Sequence, residues 1–423
     1  MNIRSFTVGA ALTLDELGRA TLINRLGHFA AAGRATLEAA GFTLQSTRLS
    51  TQPVDLWLSL NQDMARTAAA VSSLSAQCKG ARIDYCSLGT LQASDDWGSA
   101  RELAEAIPSI LKANDNLFAS LQVGSVTSAG AVINLEAVKV AVRIILYLAH
   151  NTPDGFGNLR FAAAANCPPH VPFFPASYYA ESNSNNGNPE FGLALEAADL
   201  AVRAFTDART LDEARENLLG LLVEEAGRAG EVCAVIEAQH GYSFTGMDIS
   251  MAPYPSQERS IAHALELVMG GDPLGGPGTL AAATFITGVL KDLRSRLPTI
   301  GYSGLMLPVL EDQTLADRAG EGLVTLDTLL LMSSVCGLGL DTIPLPGDIS
   351  ENVLASIILD TASLALRLDK PLTARLLPVP GKIAGEQAEW PDFPYFARGR
   401  VMNVPVGGSA QSLLLKGRSL RVV

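Results

Sequence analysis

Residues 331–350, LMSSVCGLGLDTIPLPGDIS, hold a cysteine and two acids in otherwise apolar company. A buried carboxylate is costly unless a cation, a metal or a substrate pairs with it. Cys336, Asp341 and Asp348 therefore mark a candidate catalytic site at the end of a buried strand. Cys336 is a candidate nucleophile, activated by a base or a nearby cation; the alternative is a small buried apolar side chain, which free cysteine commonly is. Asp348 has an ordinary alternative too, because Pro-Gly-Asp ahead of a helix is turn and cap chemistry.

Asp248, Glu311 and Asp312 fall at the ends of other apolar runs. There they could converge on a divalent metal or act as acid and base, or be solvated loop acids. His263, a turn or two into a helix, is a candidate acid or base, and His170 in a long loop has the same chemistry; a helical histidine is also an ordinary packing residue. Ser125 and Ser128 within 124–130, and Gly278 and Thr279 at the end of the glycine-rich loop 270–279, stand where the chain opens into a helix. Backbone N–H groups at such a place can hold an anion, although 270–279 lacks the lysine of a nucleotide-binding loop. Arg375 and Lys382 are the cationic candidates for an anionic substrate, with a structural ion pair as the alternative.

The elements that must position these residues alternate between short Val/Ile/Leu/Phe runs and helix-length amphipathic stretches, the pattern of parallel strands with helical crossovers. Strands are expected at 3–11, 43–50, 82–88, 116–123 and 159–165, then at 190–195, 244–252, 299–310, 335–343 and 372–378. Between them lie expected helices at 14–40, 55–78, 97–107, 135–150, 197–206, 211–239 and 280–297, and one opening at Pro255. Residues 168–188 read as one long loop, which in a compact domain is often functional. With five strands on each side of that loop and no linker composition between them, the expectation is a single closed α/β barrel over 1–388 rather than two domains. Residues 389–423 follow as an extended C-terminal segment.

Composition narrows the class of partner. A net charge of -12, with no basic stripe, argues against nucleic acid. The five cysteines are scattered without CxxC spacing, which predicts reduced thiols and a cytoplasmic location. The N-terminus meets Asp15 and Glu16 before any long apolar run, and no helix reads as long enough to span a bilayer, so no membrane association is expected.

Five stretches taken in order carry a family resemblance: GSVTSAGAVINLEAV from Gly124, MDISMAPYP from Met247, LPVLED from Leu307, SVCGLGLDTIPLPGD from Ser334 and ARLLPVPGK from Ala374. Together they resemble the uncharacterised family named domain of unknown function 711, over about residues 1–406. The resemblance implies a ten-stranded α/β barrel similar to that of glycyl radical enzymes such as pyruvate formate-lyase, with two five-stranded halves, helices outside and a loop reaching inside. It implies no agreed reaction. Asn166-Cys167 and Arg259 stand where the family more often carries acids, which puts a metal role at those positions in doubt. Arg400-Val401-Met402-Asn403 has asparagine where a glycyl radical motif needs glycine, so no radical chemistry is expected.

The resulting expectation is a non-radical enzyme that acts on a small polar or anionic metabolite by acid–base or cysteine-assisted chemistry, with a divalent metal as an option and hydrolase, lyase or isomerase reactions open. The alternative is a noncatalytic ligand-binding or regulatory barrel that has lost an ancestral activity. An assembly of identical subunits is expected for a barrel of this size.

Overall fold

Alternation of apolar with small polar residues sets the strands. In β1 (Asn2–Ala10), Phe6, Val8 and Ala10 enter the hydrocarbon core. Ser5 and Thr7, between them, donate their hydroxyls to the Pro172 carbonyl. β2 (Leu44–Thr51), β3 (Tyr85–Gln92) and β4 (Leu117–Thr127) repeat the pattern, with Leu49, Cys86 and Leu121 in the core and Ser50, Ser87 and Ser120 buried among polar neighbours. The other strands are β5 (Gly130–Asn134), β6 (Phe161–Ala165), β7 (Glu190–Glu196), β8 (Ser243–Asp248), β9 (Gly339–Pro346), β10 (Leu372–Val379), β11 (Gln387–Ala388), β12 (Gly399–Arg400) and β13 (Ser419–Val422). The computed structural model describes residues 1–58, 64–93, 97–128, 130–180, 188–405 and 410–422.

The main sheet runs β8-β7-β1-β2-β3-β4-β6-β10-β9. β1, β2, β3, β4 and β6 are parallel neighbours, as are β7 with β8 and β9 with β10. The two sets meet antiparallel, at β1 with β7 and at β6 with β10. The expected closed ten-stranded barrel is not present as a continuous ladder among the described residues. Residues 299–310, expected as a strand, instead make isolated parallel bridges from Thr299 to Met247, Leu305 to Met251 and Pro308 to Asp341, and Val309–Glu311 is a short 3-10 turn. Gly301, Gly304, Pro308 and a left-handed Ser303 (φ 42) interrupt any regular pairing there.

The helices are α1 (Leu14–Arg19), α2 (Thr21–Ala39), α3 (Met64–Gly80), α4 (Gly98–Ala113), α5 (Leu135–Asn151), α6 (Ala198–Thr206), α7 (Leu211–His240), α8 (Ile261–Val268), α9 (Thr279–Leu293), α10 (Gln313–Gly320), α11 (Leu326–Ser333), α12 (Glu351–Arg367) and α13 (Gln411–Lys416). The single helix expected at 14–40 is two, because Ala20 is left-handed (φ 54). Side-chain caps begin several helices: Asn134 for α5, Thr210 for α7, Ser260 for α8 and Ser350 for α12. Packing α5 and α12 against each other and against β4 and β10 buries one apolar face of the sheet. Among the described residues no helix is long and apolar enough to cross a membrane.

The long loop is tied to the polar side of the sheet. Besides the Pro172 carbonyl, the Ser177 carbonyl accepts from Ser87 Oγ at 2.7 Å and Tyr179 N donates to Thr51 at 2.8 Å. Residues 181–187 of the expected 168–188 loop lie outside the described residues. The C-terminal segment is less extended than expected. Trp390 and Val401 pack with Leu377 and Val379, and β13 pairs antiparallel with β5.

Candidate active site

A cavity of about 210 Å³ lies on the polar side of the sheet. Arg4, Ser46, Tyr85 and Phe118 reach it from the first halves of β1 to β4, Arg48 from the middle of β2, and Ala252 and Pro253 from just beyond β8. Asp341 reaches it from the first half of β9, and Thr373 and Arg375 from the first half of β10.

Six charges alternate in a chain of ion pairs, four of them (Arg4, Glu311, Arg375 and Asp341) on the cavity wall. Arg259 pairs with Glu196, Glu196 with Arg4 (3.3 Å), Arg4 with Glu311 (3.3 Å), Glu311 with Arg375 (2.7 Å), and Arg375 with both oxygens of Asp341 (2.5 and 2.8 Å). Arg4, Glu196, Asp341 and Arg375 are buried, and Glu311 is nearly so. Burial pushes the Asp341 carboxyl up, against the pull of Arg375. Replacing such a network by hydrocarbon is often neutral or stabilising, so its convergence on a cavity marks a functional candidate.

Arg48 differs from these arginines. Its Nε donates to Ser46 Oγ at 2.9 Å, and among the described residues it has no ion-pair partner. Its guanidinium lies 5.1 Å from the Phe174 ring centre and 6.0 Å from that of Tyr85. Desolvation, with Arg4 as the next contributor, pushes it down to about 10.

Tyr302 completes the wall. Burial, then Cys167, holds its phenol well above the ordinary range, so it stays a proton donor at neutral pH. Cys167 lies 3.7 Å behind that hydroxyl, and burial pushes its thiol up to about 12. It is therefore no thiolate at neutral pH.

Of the residues nominated from sequence, Asp341, Glu311 and Arg375 meet at this cavity. Asp248 and Asp312 do not reach it. The Asp248 carboxylate accepts from Tyr302 N (2.8 Å), Ser303 N (2.9 Å), Ser250 N (3.1 Å) and Ser250 Oγ (2.5 Å), clasping β8 to residues 302–303. Asp312 caps two helices at once, taking Leu315 N of α10 and Ile261 N and Ala262 N of α8, together with Ser260 Oγ. The metal set Asp248, Glu311 and Asp312 thus shares no site, and among the described residues no three His, Cys, Asp or Glu side chains gather as a metal cage.

These two clasps give testable consequences. Asp312→Ala is expected to lower stability by about 2–3 kcal/mol, one lost cap plus buried N–H groups left unpaired. Chemical denaturation checks this, and a loss below about 0.5 kcal/mol would contradict it. Burial pushes Asp248 up to about 6 from 3.8, so between those values the folded state holds more protons than the unfolded chain. Its contribution is then full below pH 4 and declines as pH rises through 6, by about 3 kcal/mol in all. The stability difference between wild type and Asp248→Asn is expected to shrink over that window; a pH-independent difference would contradict the assignment.

The remaining nominations lie elsewhere. Cys336 is buried in the main apolar cluster and does not line the cavity, although its carbonyl accepts from Lys370 Nζ. Asp348 is exposed in the turn before α12, where Ser350 is the cap. His263 is half-buried in the first turn of α8, away from the cavity lining. Ser125 and Ser128 belong to the β4–β5 hairpin, not to a helix start, because β-formers flank the turn on both sides. Gly278 is exposed, and the Thr279 hydroxyl accepts from Gly275 N at 2.9 Å. Lys382 is exposed beyond β10. Asn166 bonds Asp369 at 3.0 Å, and Arg259 stacks on Tyr254 at 3.7 Å while holding Glu196.

Sequence reasoning missed Arg4, Arg48 and Glu196. The signal available was a lone charge in a strand whose two faces otherwise read as apolar or small, such as Arg48 between Thr47 and Leu49.

Comparison with known proteins gives a consistent family. A model described as Uncharacterised ACR (DUF711) matches residues 1–393, a span that holds every arginine and carboxylate of the cavity wall. A UPF0210 protein of Pyrobaculum aerophilum is 35% identical over 359 residues, covering 82% of this chain and 76% of that protein. A UPF0210 protein of Actinobacillus succinogenes is 30% identical over 421 residues, covering 92% and 88%. With β1 to β10 and the charged residues of the cavity inside the matched span, the chain belongs to the DUF711 family, of which these UPF0210 proteins are relatives.

Proposed function

We propose that the protein is an enzyme acting on a small polar or anionic metabolite by acid–base chemistry, inside a closed ten-stranded α/β barrel in which residues 299–308 serve as the tenth stave. The observation that carries the reading is the buried alternation Arg4–Glu311–Arg375–Asp341 on the wall of a cavity too small for a dinucleotide. The three isolated bridges made by 299–308 support the closure.

In this reading Glu311, the least buried carboxylate of the network, takes a proton from the substrate carbon next to its anionic group. Arg4 and Arg375 stabilise the negative charge that develops, and Tyr302 returns a proton. Asp341 orients Arg375 through two hydrogen bonds. Proton abstraction of this kind belongs to lyases and isomerases. Cysteine-assisted chemistry is not favoured, since Cys336 sits in hydrocarbon and the Cys167 thiol is protonated.

A second reading, a noncatalytic ligand-binding barrel, is supported by one fact: the three cavity carboxylates, Asp84, Glu311 and Asp341, already accept from arginines. A panel of small organic acids, screened by melting temperature and then for product, separates the two. Ligand-dependent stabilisation with Glu311-dependent turnover supports the enzyme. Stabilisation without product from any compound would overturn it and leave a binder.

A further inference from the structure

Resting on the reading of this cavity as a metabolite site, we infer that its ligand is a small organic monocarboxylate carrying a flat unsaturated or aromatic group, with the carboxylate on Arg48 and the flat group among Phe174, Phe118 and Tyr85. The charge count selects a single negative charge. Arg4, Arg259 and Arg375 are matched by Glu196, Glu311 and Asp341, and the further cavity carboxylate Asp84 by Arg34, which leaves Arg48 as the cation of the cluster without a carboxylate among the described residues. The geometry selects a carboxylate. With Nε taken by Ser46, the two terminal nitrogens of the guanidinium are the remaining donors, the planar fork that fits two carboxylate oxygens.

The walls select the rest of the molecule. The Tyr85 and Phe118 ring centres lie 5.3 Å apart, as do those of Phe118 and Phe174. All three line the cavity beside Arg48, and Phe393 and Tyr395 reach it from the C-terminal segment. Rings at this spacing are in edge-on or tilted contact with one another, so a further flat group would lie against their cavity-facing sides. A partly desolvated guanidinium against aromatic faces attracts an anion more strongly than one in water.

Benzoate is the probe, with benzamide as its uncharged counterpart and inorganic phosphate as a competing anion, all measured by titration calorimetry on the full-length protein. Wild type is expected to bind benzoate saturably, roughly ten- to hundredfold tighter than benzamide and without competition from phosphate. Arg48→Met is expected to lose that same factor while its melting temperature without ligand is unchanged or raised, because an unpaired cation beside Arg4 is removed. Unaltered benzoate affinity in Arg48→Met, phosphate binding that outcompetes benzoate, or no benzoate binding at millimolar concentration would each overturn the assignment. If Arg48→Met binds and turns over a panel acid as wild type does, the carboxylate assignment fails and the proposed enzyme stands. If benzoate binds through Arg48 but nothing is turned over, the proposed enzyme fails and this assignment stands.

Discussion

Arg375→Met is expected to lower stability by about 3–5 kcal/mol, the cost of leaving a buried carboxylate without its counter-charge. Arg375 holds Asp341 through two hydrogen bonds and Glu311 through a third, and all three side chains are largely withdrawn from water. Glu311 keeps Arg4, but among the described residues Asp341 has no second cation. Adding Asp341→Leu to Arg375→Met is therefore expected to restore at least about 2 kcal/mol, because the orphaned charge goes with it. Urea denaturation of wild type, single and double variants reads this directly. A single variant within about 0.5 kcal/mol of wild type would mean that water already reaches Asp341 and that the network is not buried.

Glu311→Gln is expected to lower turnover of any panel acid the wild type converts by about 10²–10⁴-fold, the usual contribution of a positioned general base. The amide keeps the shape of the side chain and can still accept from Arg375, so ligand affinity is expected to stay within about threefold of wild type. A loss of affinity with unchanged kcat would make Glu311 a binding residue. Unchanged kcat and affinity would remove it from the mechanism.

Much of the fold is legible in the sequence because its periods are local. The strand alternation of β1 and the caps at Asn134, Thr210 and Ser350 follow from residue types and their spacing. Nothing local shows that β6 returns antiparallel to β10, or that 299–308 makes bridges instead of a ladder, since both depend on partners far along the chain. The candidate site divides in the same way. Asp341, Glu311 and Arg375 could be nominated from their places at apolar runs, yet Asp248 and Asp312 look identical by that criterion. What separates them is whether backbone N–H groups or a cavity faces the carboxylate: Asp312 meets the starts of α8 and α10, and Asp248 meets residues 302 and 303. Arg48 was hidden for the opposite reason, because what distinguishes it is a missing partner.

The most direct test of the account is the electron density of crystals soaked with the first organic acid of the panel that raises the melting temperature. The account predicts that acid in the cavity between Arg48 and the Arg4–Glu311–Arg375–Asp341 wall, its carboxylate within hydrogen-bond distance of the Arg48 guanidinium. Density for it at the exposed start of α9 near Gly278, at the turn bearing Lys382, or beside Asp348, with the cavity empty, would contradict the account.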